Sequence, residues 1–363
     1  MRAIPPSQHQ GPSADIPAHS AAPARRRELL VVAVFILINS LTFFLIQYDR
    51  MRNANQFFDD VIRAILGGAY QAPEQYRVAP PLLARFLSLH AHLRPNQSFP
   101  LLESLAYALT LWLLYLLLIS SPQAENRRPT DRLVLLGLFL AAVQFPVLWI
   151  FPWDRTETLP TALYLAAIVL LVVRRSRIPF ALVCVLAVLL SLGQALVRAD
   201  VPAAAGAAIL LAAALAVPLH RPRPHVATLG LLCAATAAGT QLYLQRVVFP
   251  HATYPANVPR FQLLTNLDPR HPIFHVPIVL TALLPLIVSL AWLRRYRLPF
   301  DPADKLVLLM CLVYLPVWFA MGLVVEVRIF VPYLFLAAPT IARVWAAFLL
   351  DDKAAAHPPH SAA

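Results

Sequence analysis

Three short segments of this chain set both signs of charge directly against apolar sequence: Asp154, Arg155 and Glu157; Arg198 and Asp200; Glu326 and Arg328. An ionisable side chain at the centre of a membrane-spanning helix costs about 3 kcal/mol, so such groups pair or face a wet cavity. The planar fork of arginine matches phosphate oxygens, and a carboxylate beside it can take a proton from a hydroxyl. Four carboxylates and three guanidiniums on one face therefore suit group transfer from a phosphate-linked donor. In the bland alternative they are helix-end charges that snorkel and pair with one another.

Asp59 and Asp60 form a second candidate group, one helical turn before Arg63 and just beyond the first apolar block. A carboxylate near lipid headgroups can act as general base toward an acceptor hydroxyl. Two acids and an arginine are also what an amphipathic helix shows to water. Metal chemistry has less to stand on. His90 with His92, and His271 with His275, have no third ligand nearby in sequence, so no metal site is assigned. No cofactor is required by the sequence, and a divalent cation stays open. Cys184, Cys233 and Cys311 all sit inside apolar blocks and read as small hydrophobes.

The elements that must position these groups are membrane helices. Of the 363 residues 59% are apolar and 13% charged, against about 25% charged in a soluble domain. Ten apolar segments, approximately 29–47, 101–121, 133–151, 158–173, 179–197, 201–219, 226–244, 274–293, 306–324 and 329–349, match the length that crosses a bilayer. The run from 179 to 219 would be about 60 Å long as one helix, twice the hydrocarbon thickness, so the chain must fold back near Arg198–Asp200. The same reasoning divides 306–349 near Glu326–Arg328. Pro146, Pro277 and Pro285 lie inside apolar segments, where they kink helices.

The net charge of +12 fits membrane topology better than nucleic acid, and no nucleic-acid partner is expected. With the N-terminus in the cytoplasm, Arg127, Arg128 and Arg132, then Arg174, Arg175 and Arg177, then Arg221 and Arg223, then Arg294, Arg295, Arg297 and Lys305 all fall on the inner side. The opposite turns carry the acids. The expected fold is thus an all-α bundle of about ten spans over 25–350, with a disordered tail over 1–24 and a cytoplasmic tail over 351–363, in the inner membrane of a bacterial cell. Two outer loops are long, 48–100 and 245–273. The first holds two amphipathic stretches, Phe57–Leu66 and Leu82–Leu89, expected to lie in the membrane interface. The second is proline-rich and expected to cap the outer face. Arg343, alone in the last segment, is expected to snorkel toward the cytoplasm.

The first outer loop resembles that of the C-type membrane glycosyltransferases. The resemblance rests on Phe58-Asp59-Asp60, then Ala64, Leu66, Gly67, Gly68 and Tyr70, then Tyr76-Arg77 and Pro80-Pro81-Leu82-Leu83. It implies a sugar donor carried on polyprenyl phosphate, an acceptor linked to lipid or glycan, and an acidic catalytic residue. That residue would be Asp59 or Asp60, with Asp49, directly after Gln47-Tyr48, as the alternative. Tyr76 and Arg77 would join Asp154, Arg155, Glu157, Arg198, Asp200, Glu326 and Arg328 in holding the substrate. Two readings of other classes stand beside it: a carrier or flippase for a polyprenyl-linked or anionic solute, and a non-catalytic scaffold in envelope-glycan assembly. A carrier should place ionisable groups near the bilayer midplane and show related halves. Here the charges gather at one face. Oligomeric state is open.

Overall fold

A computed structural model describes residues 21–120, 129–148, 157–174, 178–254, 272–295, 301–321 and 329–356. These form twelve α-helices and no strand. They are α1 (Ala21–Met51), α2 (Asn55–Leu66), α3 (Ala79–Ala91), α4 (Pro95–Ile119), α5 (Pro129–Val147), α6 (Thr158–Val173), α7 (Phe180–Arg198), α8 (Asp200–Ala214), α9 (Arg223–Tyr243), α10 (Pro272–Arg295), α11 (Pro302–Met321) and α12 (Val331–Ala356). A π turn, Leu244–Val248, extends α9, and a 3₁₀ turn, Glu74–Tyr76, precedes α3. Among the described residues, six helices are long and apolar enough to cross a membrane: α1, α4, α7, α9 with its π turn, α11 and α12. The shorter α6 and α8 are equally apolar in character. This is a multi-pass membrane protein.

Side-chain contacts fix the direction of each helix. Phe43 meets Tyr107, and Asn96 Nδ2 donates to the Arg52 carbonyl, so α1 and α4 are antiparallel. Tyr164 bonds Ser191 while Gln194 bonds Thr161, which makes α6 and α7 antiparallel as well. Phe180 stacks on His225 and Leu196 joins the cluster around Leu244, so α7 and α9 run parallel. Between them α8 runs the other way, since Gly206 approaches Ala234 while Gly230 approaches Leu210. The fold-back between α7 and α8 thus occurs at Ala199 alone, where length reasoning puts it. Trp318–Phe330 and Tyr314–Tyr333 contacts make α11 and α12 antiparallel.

One end of the bundle therefore gathers the first loop, the start of α6, the α7–α8 turn and the end of α9. The opposite end holds the basic turns, including Arg132, paired with Glu28 at 3.1 Å, and Arg221. The core lies between α4, α6, α8, α11 and α12, with α12 buried along most of its length. At its tightest point α8 and α9 touch through glycine: a Cβ on Gly206 would stand 2.6 Å from the Gly230 carbonyl. By contrast α1 lies at the rim, exposing Leu37, Ile38, Leu41 and Leu45 as a lipid-facing helix does.

Three expectations need correction. Segment 201–219 stops being helical at Ala214, because Ala216 takes a left-handed φ of 54° ahead of Pro218. Arg343 does not snorkel: it is buried, and its guanidinium pairs with Asp304 of α11, which also accepts from Thr340 Oγ1 at 2.6 Å. The partner lay 39 residues away in sequence, invisible to a local reading. The first amphipathic stretch, now α2, turns Phe58, Val61, Ile62 and Ile65 into the protein rather than toward lipid, because α3 and α4 cover that face.

Candidate functional site

The first loop is nailed down by one glutamine. Buried Gln75 accepts from the Tyr70 amide (2.7 Å) and donates from Nε2 to the Ile65 carbonyl (2.6 Å), closing the loop between α2 and the 3₁₀ turn. Gly68, with φ 76°, makes the bend under the ring of Phe249, and the Ala72 amide donates to the Thr253 carbonyl at 3.0 Å. Residues after α9 thus clasp the first loop. Tyr76 is buried in the small cluster this makes with Val61, Ile65, Val78 and Leu244.

That framework aims Arg77 at the start of α6. Its Nη1 donates to both carboxylate oxygens of Glu157, each at 2.7 Å, across 80 residues of sequence. Glu157 is the N-cap residue of α6, where the helix dipole favours a negative charge. Burial works against the charge on Arg77 and Glu157 works for it; Arg198 opposes and Glu74 assists, and the balance holds its pKa above the ordinary arginine value. Arg77 is therefore a fixed cation at any physiological pH.

A second pair sits within electrostatic reach. Arg198, the last residue of α7, bonds Asp200, the first of α8, through Nη2 (2.6 Å) and Nε (3.3 Å). Arg198 Nη2 also donates to the Tyr314 hydroxyl at 2.5 Å, and that hydroxyl donates to Asp200 Oδ2 at 2.8 Å. Tyr314 is stacked on Tyr333 at 4.2 Å. Arg77 interacts electrostatically with Asp200 and Tyr314, and Glu157 with Arg198, so the two pairs form one network.

Beside the network is a small cleft of about 10 Å³, room for about one water, lined by Phe58, Val61, Ile65, Pro81 and Phe99 and by the charged groups Glu74, Arg77 and Glu157. No protein family, curated protein or solved structure matches the chain. What the site does has to come from its own atoms.

The structure thus brings together Arg77, Glu157, Arg198 and Asp200, and it places Asp59 and Asp60 elsewhere. Asp60 is exposed and paired to Arg63 at 2.9 Å, while Asp59 is half-buried at the side of α2. Asp49 is likewise exposed and pairs with Arg52 at 3.3 Å. Asp154, Arg155, Glu326 and Arg328 lie outside the described residues, as do His271 and most of the proline-rich segment after 254. No three His, Cys, Asp or Glu side chains converge among the described residues. Sequence reasoning missed Tyr314, the hydroxyl that joins the second pair, and Glu74, the carboxylate of the cleft. Tyr314 is embedded in an apolar block and its partners are 114 and 116 residues away, so no local spacing could have marked it.

Proposed function

We propose that this is a ten-pass protein of a bacterial inner membrane, with both termini cytoplasmic, that transfers a sugar from a polyprenyl-phosphate donor to a lipid- or glycan-linked acceptor at the outer face. The observation that carries the reading is the pair of guanidiniums at this end of the bundle, Arg77 lining the small cleft and Arg198 in electrostatic reach of it. The phosphate of the donor suits those guanidiniums, and Phe58, Val61, Ile65 and Phe99 make their surroundings apolar. Alternating helix directions support ten crossings, and the basic turns at the end opposite the cleft support a cytoplasmic assignment for that end.

In the reaction, a carboxylate takes the proton of the acceptor hydroxyl, the acceptor oxygen bonds to the sugar C1, and the C1–O bond to phosphate breaks to release polyprenyl phosphate. Glu74 is the carboxylate assigned this task, since it lines the cleft and Glu157, which lines it too, is held by Arg77; Asp59 and Asp60 do not line it. Arg77 and Arg198 stabilise the departing phosphate, while Glu157 and Asp200 hold them in place. In proteoliposomes carrying a radiolabelled polyprenyl-phosphate hexose and an acceptor lipid, the wild type should release polyprenyl phosphate. Glu74→Gln and Arg77→Lys should lower the rate at least a hundredfold. Translocation of the donor without C1–O cleavage would instead identify a carrier and sink the transferase reading.

A further inference from the structure

With α2 turned inward, α3 remains unlike any other helix of the first loop. Its buried contacts are few: Pro80, Pro81 and Ala84 face the protein, and Pro81 reaches the cleft. The outward arc carries Leu82 and Leu83 (each 50% exposed), Phe86 (57%) and Leu89 (64%), at i, i+1, i+4 and i+7, which is one helical face. Four large apolar side chains at that exposure are not a water-facing surface.

The charged residues flanking this face, Arg85 and Arg94, are both basic. Arg85 and His90 border it, His90 packing on the Phe86 ring at 4.4 Å, and His92 and Arg94 follow at its end. No acid occurs between Glu74 and Glu103. The face also continues lipid-type surface: α3 packs on α4 and α7, whose exposed side chains include Leu105 and Leu109, and Leu189 and Leu192. Apolar arc, basic flanks and continuity with spanning helices together specify the headgroup–acyl boundary of a membrane leaflet rich in anionic lipid.

The geometry points to α3 as an anionic-lipid-seated helix whose inner side is the wall of the cleft. The seating does not depend on the sugar-transfer reading, and it links lipid composition to the position of Pro81. The amphipathic pattern was visible in sequence; which of the two stretches faces lipid was not, and the structure assigns that role to α3.

The test uses the full chain in nanodiscs, with Cys184 replaced by serine and a nitroxide attached at Phe86→Cys or Leu89→Cys. In phosphatidylcholine containing phosphatidylglycerol, both labels should be accessible to oxygen and shielded from a water-soluble nickel complex. Replacing Arg85 and Arg94 by glutamine should weaken that anionic-lipid-dependent shielding, by about fivefold in partitioning for each charge. Nickel access to both positions in either lipid overturns the proposal. So does low access to oxygen and nickel alike in the nanodisc, which would mean that protein covers the face. Depth that is unchanged by phosphatidylglycerol overturns the anionic requirement. All these readouts are independent of sugar transfer, so loss of activity with seating intact counts against the function alone.

Discussion

Replacing Glu157 by leucine leaves the guanidinium of Arg77 between α6 and the first loop with its nearest counter-charge gone. In the native protein the Arg77 side chain is 27% exposed and that of Glu157 12%, so the pair is mostly out of water. Removing one member of a buried pair costs about 3–5 kcal/mol. The remaining access of solvent to Arg77 trims that to about 2–3 kcal/mol. Removing both charges, with Arg77→Met and Glu157→Leu, leaves no stranded ion and should cost only about 1 kcal/mol of packing. A double-mutant cycle should therefore return a coupling energy of several kcal/mol in favour of the pair. The assay is unfolding of the purified protein from mixed micelles by rising dodecyl sulfate, followed by tryptophan fluorescence for the four proteins. As an internal control, Asp60→Ala, which breaks an ion pair whose side chains are 74% and 61% exposed, should shift stability by no more than about 0.5 kcal/mol. Additivity of the Arg77 and Glu157 substitutions to within about 0.5 kcal/mol would refute the reasoning, since contacting charges must couple.

Three further outcomes are accessible in the same assay. Gly206→Ala forces a methyl onto the Gly230 carbonyl and the Ala234 amide, at 2.6 and 2.7 Å, and because both obstacles are backbone it should destabilise the α8–α9 pair by about 1–3 kcal/mol. Tyr333→Phe removes a hydroxyl that is buried and has no hydrogen-bond partner among the described residues; stability should hold or rise by up to about 1 kcal/mol, and a clear loss would reveal a hidden acceptor. Arg343→Met strands Asp304 in the core and should cost about 3–5 kcal/mol, whereas Arg343→Met combined with Asp304→Leu should recover most of it.

The fold was legible wherever a property is local and periodic. Apolar run length located the membrane helices, and the same arithmetic put the α7–α8 break at its true place, because a 41-residue apolar run cannot stay straight in a bilayer. Charge sign along the turns anticipated that Glu157, Arg198 and Asp200 would share an end of the bundle. What escaped was who pairs with whom. Arg343 and Asp304, Arg77 and Glu157, and Tyr314 and Asp200 are each brought together by helix packing across 39 to 114 residues, and one-dimensional spacing carries no trace of that. The orientation of α2 was misjudged for a related reason. An amphipathic pattern specifies that an apolar face is covered, but lipid and protein are equally apolar, so the pattern cannot name which one covers it. Asp59 and Asp60 were picked for their sequence proximity to the first span, yet the helix period puts Asp60 on the face of α2 away from Phe58 and Ile62, exposed and paired with Arg63, and leaves Asp59 half-buried at the side of that face.

Because Glu157 already grips Arg77 with both oxygens, the cleft arrives with its own plug. Both oxygens are taken up on Nη1, so an incoming phosphate, under the proposed function, would be met by Nε and Nη2 while the tethered carboxylate keeps its hold. Glu157 then decides which edge of the guanidinium a ligand can approach.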